Sequence, residues 1–288
     1  VLGVDVRVAL VGAGGVGRAL ARLMIREGIE VRAYDVSPSS VSKALMDGIS
    51  VTNDLVGLVR WCDHVLISVP SSEVVKVLKL IRGLTTSSTE PKVVYDVSTF
   101  KEGLIREYLR FPKYVKVSSI HPMFGPGIKS PSKHVVLLTP IPTREVDSYE
   151  VEYLLNYLGF RVVKVGIEEH DELVAKYVGT SYIVATALAE FMMRYGLSLS
   201  SDYLGTTFKL LTNHCLAVMH DSPEFISYVL SNEYVRKYLR GLLEVLKELL
   251  SSSGKAELIA RSFREYVGTE AIDLAYRRLY EFIEGTNH

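Results

Sequence analysis

Two cysteines, Cys62 and Cys215, are all that 288 residues carry. That is too few for a disulfide framework and fits a reducing compartment. Charge of one sign is missing too, since 33 basic residues cancel 33 acidic ones. No overall field then draws the chain to nucleic acid or to an anionic membrane. No helical apolar stretch reaches membrane length: the longest, Tyr177 to Met193, is interrupted by Glu190 and falls short of the roughly 20 residues a span needs. The start at Val1 reads as strand-like, without a basic n-region, an apolar core or a cleavage site. The seven histidines and two cysteines show no ligand spacing, so no metal is expected. The expectation is a soluble, cytoplasmic, globular protein with neither membrane nor nucleic-acid partners.

Hydrophobic residues make up 48% of the chain, enough for real cores, and its length fits two domains. Val6 to Val11 is a nearly continuous apolar run, as expected of a strand buried on both faces. It leads into Gly12-Ala13-Gly14-Gly15-Val16-Gly17, which is G-x-G-x-x-G. An amphipathic helix follows, with Val16, Ala19, Leu20, Leu23 and Met24 on one face. A second strand, Val31 to Tyr34, ends on Asp35, 18 residues past the last glycine. A lone glycine pattern is equally a tight strand–helix turn. With strand, glycines, helix, strand and terminal acid in order, it points to a bound dinucleotide. The glycines allow the turn and the close approach of backbone to pyrophosphate, and the helix N-terminus offers free N–H groups. Asp35 can accept from the ribose hydroxyls and would repel a 2′-phosphate; Val36-Ser37-Pro38 supplies no arginine for one. NAD is favoured over NADP.

Strands and helices continue to alternate, which implies a mostly parallel, doubly wound sheet. His64 to Val69 is a strand closed by Pro70, and Val93 to Asp96 is the next. Val69, Pro70 and Ser98 fall where loops would border the cofactor, although Pro70 reads equally as a plain strand stop. Thr99 and Lys101 would face the same crevice, Lys101 having the alternative of a solvated lysine at a helix start. The apolar run Val115 to Ile120 then meets His121-Pro122-Met123-Phe124-Gly125-Pro126-Gly127. Its ladder is expected to stop there and to leave the imidazole at a sheet edge, where ligands of open α/β sheets bind. His121 is therefore a candidate acid or base beside a nicotinamide. Val135 to Thr139 and Arg161 to Val165 complete the strands.

From Glu168 onward the period is helical, so the domain cut is placed near 166: a nucleotide-binding domain over 1–166 and an all-α domain over 167–288. Leu173, Tyr177, Val184, Leu188 and Phe191 share a broad face, and Tyr182 and Ala185 make this helix apolar nearly all round. Such a helix calls for burial between partners, which suggests a homodimer through the C-terminal helices.

Taken together, these stretches resemble the prephenate/arogenate dehydrogenase family of tyrosine biosynthesis. The stretch from His121 to Pro126 looks like that family's His-Pro-Met-Phe-Gly-Pro loop. Asp96-Val97-Ser98-Thr99-Phe100-Lys101 is similar to its Asp-x-x-Ser-Val-Lys stretch. Glu169-His170-Asp171 is similar to the Glu-His-Asp with which it enters its helical domain, although such a group is more often one of capping and packing. By that resemblance His121 is the catalytic base. Thr99 stands where the family has a serine that hydrogen-bonds both the substrate hydroxyl and the histidine. Gly127 replaces an acidic residue, and Tyr182 a histidine. Of two substrate-facing arginines, Lys209 stands at the first and Ala217 at the second. Lys209, His214, Tyr182 and Lys101 are thus the candidate substrate contacts, with Lys176 a further cation. The implied activity is NAD-dependent oxidative decarboxylation of prephenate. Arogenate, a non-catalytic NAD-binding relative and a β-hydroxyacid or imine reductase are the alternatives.

Overall fold

The computed structural model describes residues 6–86, 92–200, 202–252 and 254–285. The chain divides into two compact units, Val1–Glu172 and Leu173–His288. Residues 167–172, which sequence periodicity groups with the helices, belong to the sheet-bearing unit.

That unit is built on eight strands: β1 (Arg7–Val11), β2 (Glu30–Tyr34), β3 (Ser50–Val51), β4 (His64–Ile67), β5 (Val93–Asp96), β6 (Lys116–Pro122), β7 (Val135–Pro140) and β8 (Arg161–Lys164). Their order is β3-β2-β1-β4-β5-β6-β7-β8. The first six are parallel; β7 pairs antiparallel with β6, and β8 follows β7 in parallel. The order reverses at β1, so a crevice opens between the carboxyl ends of β1 and β4, the switch point where doubly wound sheets bind ligands.

The strands are apolar on both faces because helices cover both. On one face Leu10, Ala33, Leu66, Tyr95, Ile120 and Leu138 pack with Leu20, Leu23 and Met24 of the helix Gly15–Arg26 and with Leu154 and Leu155 of the helix Tyr149–Tyr157. On the other, Ala9, Val65, Ile67, Val94 and Val117 pack with Leu58 of the helix Leu55–Trp61, Leu78 and Ile81 of Val74–Thr86, and Tyr108 of Ile105–Tyr108. Burying one leucine-sized side chain in such a layer contributes about 1.5–3 kcal/mol.

One expectation about β6 is corrected. The strand does not stop at Ile120: His121 pairs with Leu137 and Pro122 with Val136, and Met123 N–H reaches the Val135 carbonyl at 3.0 Å. Proline is tolerated because β5 has already ended at Asp96, so only the β7 side of the ladder remains there. His121 thus stays in the ladder, paired with β7 alone, two residues beyond the last pairing of β6 with β5.

The second unit is all helix: a wide π turn at Ala175–Gly179, then Thr180–Tyr195, Thr206–Met219, Pro223–Ser231, Glu233–Ser251, Lys255–Val267 and Thr269–Gly285. Ser222 caps the helix that Pro223 opens, its hydroxyl accepting the Phe225 N–H at 3.2 Å. Much apolar surface stays exposed, including Phe191, Met193, Leu239, Leu243, Leu246, Leu250, Leu258, Phe263 and Tyr280. Among the described residues no helix is long and apolar enough to cross a membrane.

Candidate active site

The glycine loop follows β1 directly. Gly12 sits at φ +92°, and a Cβ there would stand 2.4 Å from the Ser68 carbonyl oxygen, so no other residue fits. Gly17 is equally closed, since a Cβ would come within 2.7 Å of the Ser68 hydroxyl. Both glycines thus press the start of the helix Gly15–Arg26 against the end of β4. Ala13 is buried between them, and Val16 packs on the core beneath. Gly14 is the helix N-cap and has no side chain to cap it, so the first amides of the helix keep no internal partner. Asp35, past the end of β2, accepts the Ala13 N–H at 2.7 Å and the Ser37 N–H at 2.7 Å. Its two oxygens keep lone pairs for further donors. Val69 touches the open face of Gly12, and Pro70 is exposed at the mouth. The turn, the free amides and the acid suit a dinucleotide's pyrophosphate and ribose, so the residues present fit NAD.

Beside this crevice, β5 and β6 end in a buried polar cluster. Asp96, with no exposed surface, is its centre. It accepts from Ser98 N–H at 2.7 Å, from the Lys101 ammonium at 3.4 Å, and from the hydroxyls of Tyr108 and Ser119, both at 2.5 Å. Burial alone would raise this carboxyl, but Lys101 and the hydrogen bonds from Ser119, Ser98 and Tyr108 prevail and hold it below the usual range. Lys101 has no exposed surface either; its ammonium also donates to the carbonyls of Ser98 at 2.5 Å and Ile120 at 2.7 Å. All three of its donors are engaged. The expectation that Lys101 faces substrate is therefore corrected, and so is its alternative as a solvated lysine: a buried ammonium of this kind is kept by its acceptors.

Asp171 joins the cluster from the helix Ile167–Val174. Its carboxylate accepts the N–H of Lys101 at 2.9 Å and of Glu102 at 3.0 Å, capping the short turn Glu102–Leu104. It also meets His170 Nδ1 at 2.7 Å. Capping is thus one role of the Glu-His-Asp group, performed on a distant turn rather than on its own helix. His170 is buried, its ring 5.3 Å from that of His121 between centroids.

His121 retains 8% of its surface, while its Nδ1 is buried without a partner. Burial, then the neighbouring His170, then Lys101, push its pKa well below the ordinary 6.5. The ring is neutral at neutral pH, as a proton acceptor must be. Ser98 and Thr99, buried just past β5, share this end of the sheet with it. The loop after His121 closes over the nucleotide turn: a Cβ on Gly15 would stand 3.1 Å from Pro126, and Arg22 donates to the Pro126 carbonyl at 3.2 Å.

The other candidates lie in the helical unit. Lys209 is exposed on Thr206–Met219. His214 is half-buried, its Nε2 3.3 Å from the Ser181 carbonyl and 3.4 Å from the Ser181 hydroxyl. The Tyr182 hydroxyl donates to Asp221. Asp96, Tyr108 and Ser119 had no assigned role in the sequence, and Asp171 was read only as part of a capping and packing group. The signals for Asp96 were its position at a strand end ahead of Ser98, Thr99 and Lys101 and its place at the head of the stretch that resembles Asp-x-x-Ser-Val-Lys. Among the described residues no group of three or more His, Cys, Asp or Glu side chains is placed to hold a metal ion.

Residues 7–118 match the family model of the NAD binding domain of 6-phosphogluconate dehydrogenase. The backbone superposes on the crystal structure of prephenate dehydrogenase from A. aeolicus in complex with hydroxyphenyl propionate and NAD+. That comparison has a TM-score of 0.68 and 22% identity and covers 95% of this chain and 97% of that one. Arogenate dehydrogenase of Synechocystis gives a TM-score of 0.60 at 17% identity, over 98% and 97% of the two chains. The chain has the fold of the prephenate and arogenate dehydrogenases. In sequence it is 26% identical over 185 residues to a protein of Methanocaldococcus jannaschii named as a probable arogenate/prephenate dehydrogenase. That match spans 62% of this chain but only 40% of the relative's length. The resemblance read from the His121 loop is thus met in fold and in sequence, and the nucleotide-binding motif lies inside an NAD-binding domain.

Proposed function

We propose that this protein is an NAD-dependent dehydrogenase that decarboxylates prephenate to 4-hydroxyphenylpyruvate, in the cytoplasm and as a homodimer. The observation that carries the reading is His121: a neutral, buried imidazole with 8% of its surface open, at the end of a strand beside a nucleotide crevice. Bound NAD supplies the hydride acceptor. The chain's own residues do the rest. Gly12 to Gly17 and Asp35 hold and orient the dinucleotide. His121 takes the proton from the substrate's ring hydroxyl as that carbon gives up its hydride. Loss of carbon dioxide leaves a phenolate oxygen, to which the histidinium returns the same proton. No net proton is consumed, so the histidine ends each turnover neutral. Thr99 offers a hydroxyl at the same end of the sheet to align the substrate oxygen. Arogenate, which carries an amino group where prephenate has a keto group, is the second reading, supported by the Synechocystis neighbour.

The deciding experiment supplies prephenate and arogenate separately with NAD or NADP and follows the reduced nicotinamide. Faster turnover of prephenate with NAD is expected. Faster turnover of arogenate selects the second reading, and no turnover of either, with NAD still bound, makes the protein a binder rather than a dehydrogenase.

A further inference from the structure

Three buried ring nitrogens lack partners among the described residues of the sheet-bearing unit, and two of them belong to neighbouring imidazoles: Nδ1 of His121 and Nε2 of His170. Leaving a buried polar atom unpaired is costly, so two such atoms on neighbouring rings call for one explanation. The ring centroids are 5.3 Å apart and the planes inclined at 50°. The chemistry of the second ring is decided from behind. Asp171, itself buried, faces His170 Nδ1 at 2.7 Å, and an ionised carboxylate can only accept. The proton of neutral His170 is therefore on Nδ1, and its Nε2 is a bare lone pair. The two nitrogens make no hydrogen bond in the structure, but a bare lone pair on His170 Nε2 and an N–H on His121 Nδ1 are the complementary pair that would satisfy both. A protonated Nδ1 on neutral His121 leaves its other nitrogen, Nε2, unprotonated.

We propose that His170 and Asp171 are positioning residues that fix the tautomer of His121, so that its Nε2 is the atom that accepts the substrate proton. The relay runs from the Asp171 carboxylate to His170 Nδ1–H, from His170 Nε2 to His121 Nδ1–H, and leaves His121 Nε2 bare. No proton needs to travel along it. Its effect is to hold one of two tautomers and one ring orientation, both of which a lone histidine would lose half the time or more. The proposal rests on the reading of His121 as the base. Besides His170, the charged group acting on the ring is Lys101, which with Asp96 and Asp171 completes the titratable set around the pair.

The test combines kinetics with the 15N spectrum of histidine-labelled protein, using His121→Asn to assign the His121 signals. In the wild type, His121 is expected to show a protonated Nδ1 and an unprotonated Nε2. A wild-type spectrum with the proton on Nε2 overturns the proposal without any variant. His170→Phe fills the space but offers no acceptor, whereas His170→Gln restores one. The phenylalanine variant is expected to lose at least about tenfold in kcat, within the roughly 10,000-fold that a wrong-tautomer histidine can cost, with KM little changed. It should also lose the Nδ1–H signal of His121, and the glutamine variant should recover most of both. A drop in kcat with the tautomer unchanged, or no rescue by glutamine, reduces His170 to packing and overturns the relay. Full turnover in His121→Asn overturns the base assignment itself, a different failure with a different signature.

Discussion

The Asp35 carboxylate accepts the backbone N–H of Ala13 at 2.7 Å, tying the end of β2 to the glycine loop after β1. The acid thus shapes the loop as well as offering lone pairs to a ribose. NAD is expected to bind more tightly than NADP, because a 2′-phosphate would meet this carboxylate. Asp35→Ala should weaken NAD and narrow the gap between the two. Calorimetric dissociation constants check it; a wild type that prefers NADP would contradict the assignment.

His121 is expected to give a pH profile shifted to acid. Burial, His170 and Lys101 all lower its pKa, so the base is already neutral at neutral pH. With NAD and prephenate, kcat/KM should be flat from about pH 7 upward and fall only below the reference value of about 6.5. A midpoint at or above 6.5 would mean that another group, or another environment, governs the rate. His121→Asn should cost about 100- to 10,000-fold in turnover with NAD affinity nearly unchanged.

Lys101→Met should act on stability. It removes one partner of a fully buried ion pair and orphans the carbonyls of Ser98 and Ile120. The expected loss is about 3–5 kcal/mol in urea unfolding. A lysine that bound substrate would instead raise KM and leave the unfolding midpoint in place.

His64 makes stability fall in acid. Burial, outweighing Glu150 and Asp63, lowers its pKa to about 4, against about 6.5 in the unfolded chain. Above 6.5 the ring is neutral in both states. Between 6.5 and 4 only the unfolded chain takes up the proton, so stability declines, by about 3 kcal/mol at most. Below 4 this contribution levels off. His64→Phe keeps a ring beside Tyr95 and removes the proton uptake. Its urea midpoint should drop less than the wild type's between pH 7 and pH 4.5; equal drops would clear His64 of the effect.

Leu239, Leu243, Leu246 and Leu250 recur along one side of the helix Glu233–Ser251, and all are exposed. Sedimentation at micromolar concentration is expected to show a homodimer, and Leu246→Asp to shift it toward monomer. A wild type that sediments as a monomer would end the dimer assignment.

What could be read from the sequence was what neighbouring residues specify. The glycine turn, its helix and Asp35 lie within one continuous stretch, and each keeps the spacing that the backbone requires. The direction of β7 left no such mark, because Val135 to Thr139 reads equally well in a parallel or an antiparallel ladder. Lys101 was misplaced for a related reason. Two of its three acceptors are backbone carbonyls, of Ser98 and Ile120, which every residue possesses and no side chain announces. The same holds for Asp171, which caps amides seventy residues earlier in the chain. The helix from Leu173 to Met193 reads as apolar nearly all round; its residues carry no sign of the π turn at Ala175–Gly179 that interrupts it, and Phe191 and Met193 are exposed in the single chain.

The cap that Asp171 places on Lys101 and Glu102 also sets an order of assembly. A chain made from its N-terminus can pair β1, β2, β4 and β5 while the amides after β5 still wait for an acceptor some seventy residues away. A fragment cut at residue 166, where the helical period begins, would carry all eight strands and yet lack both His170 and Asp171. One ending at 172 keeps them. The six residues between those two cuts decide whether an isolated sheet unit presents His121 with its neighbours or without them.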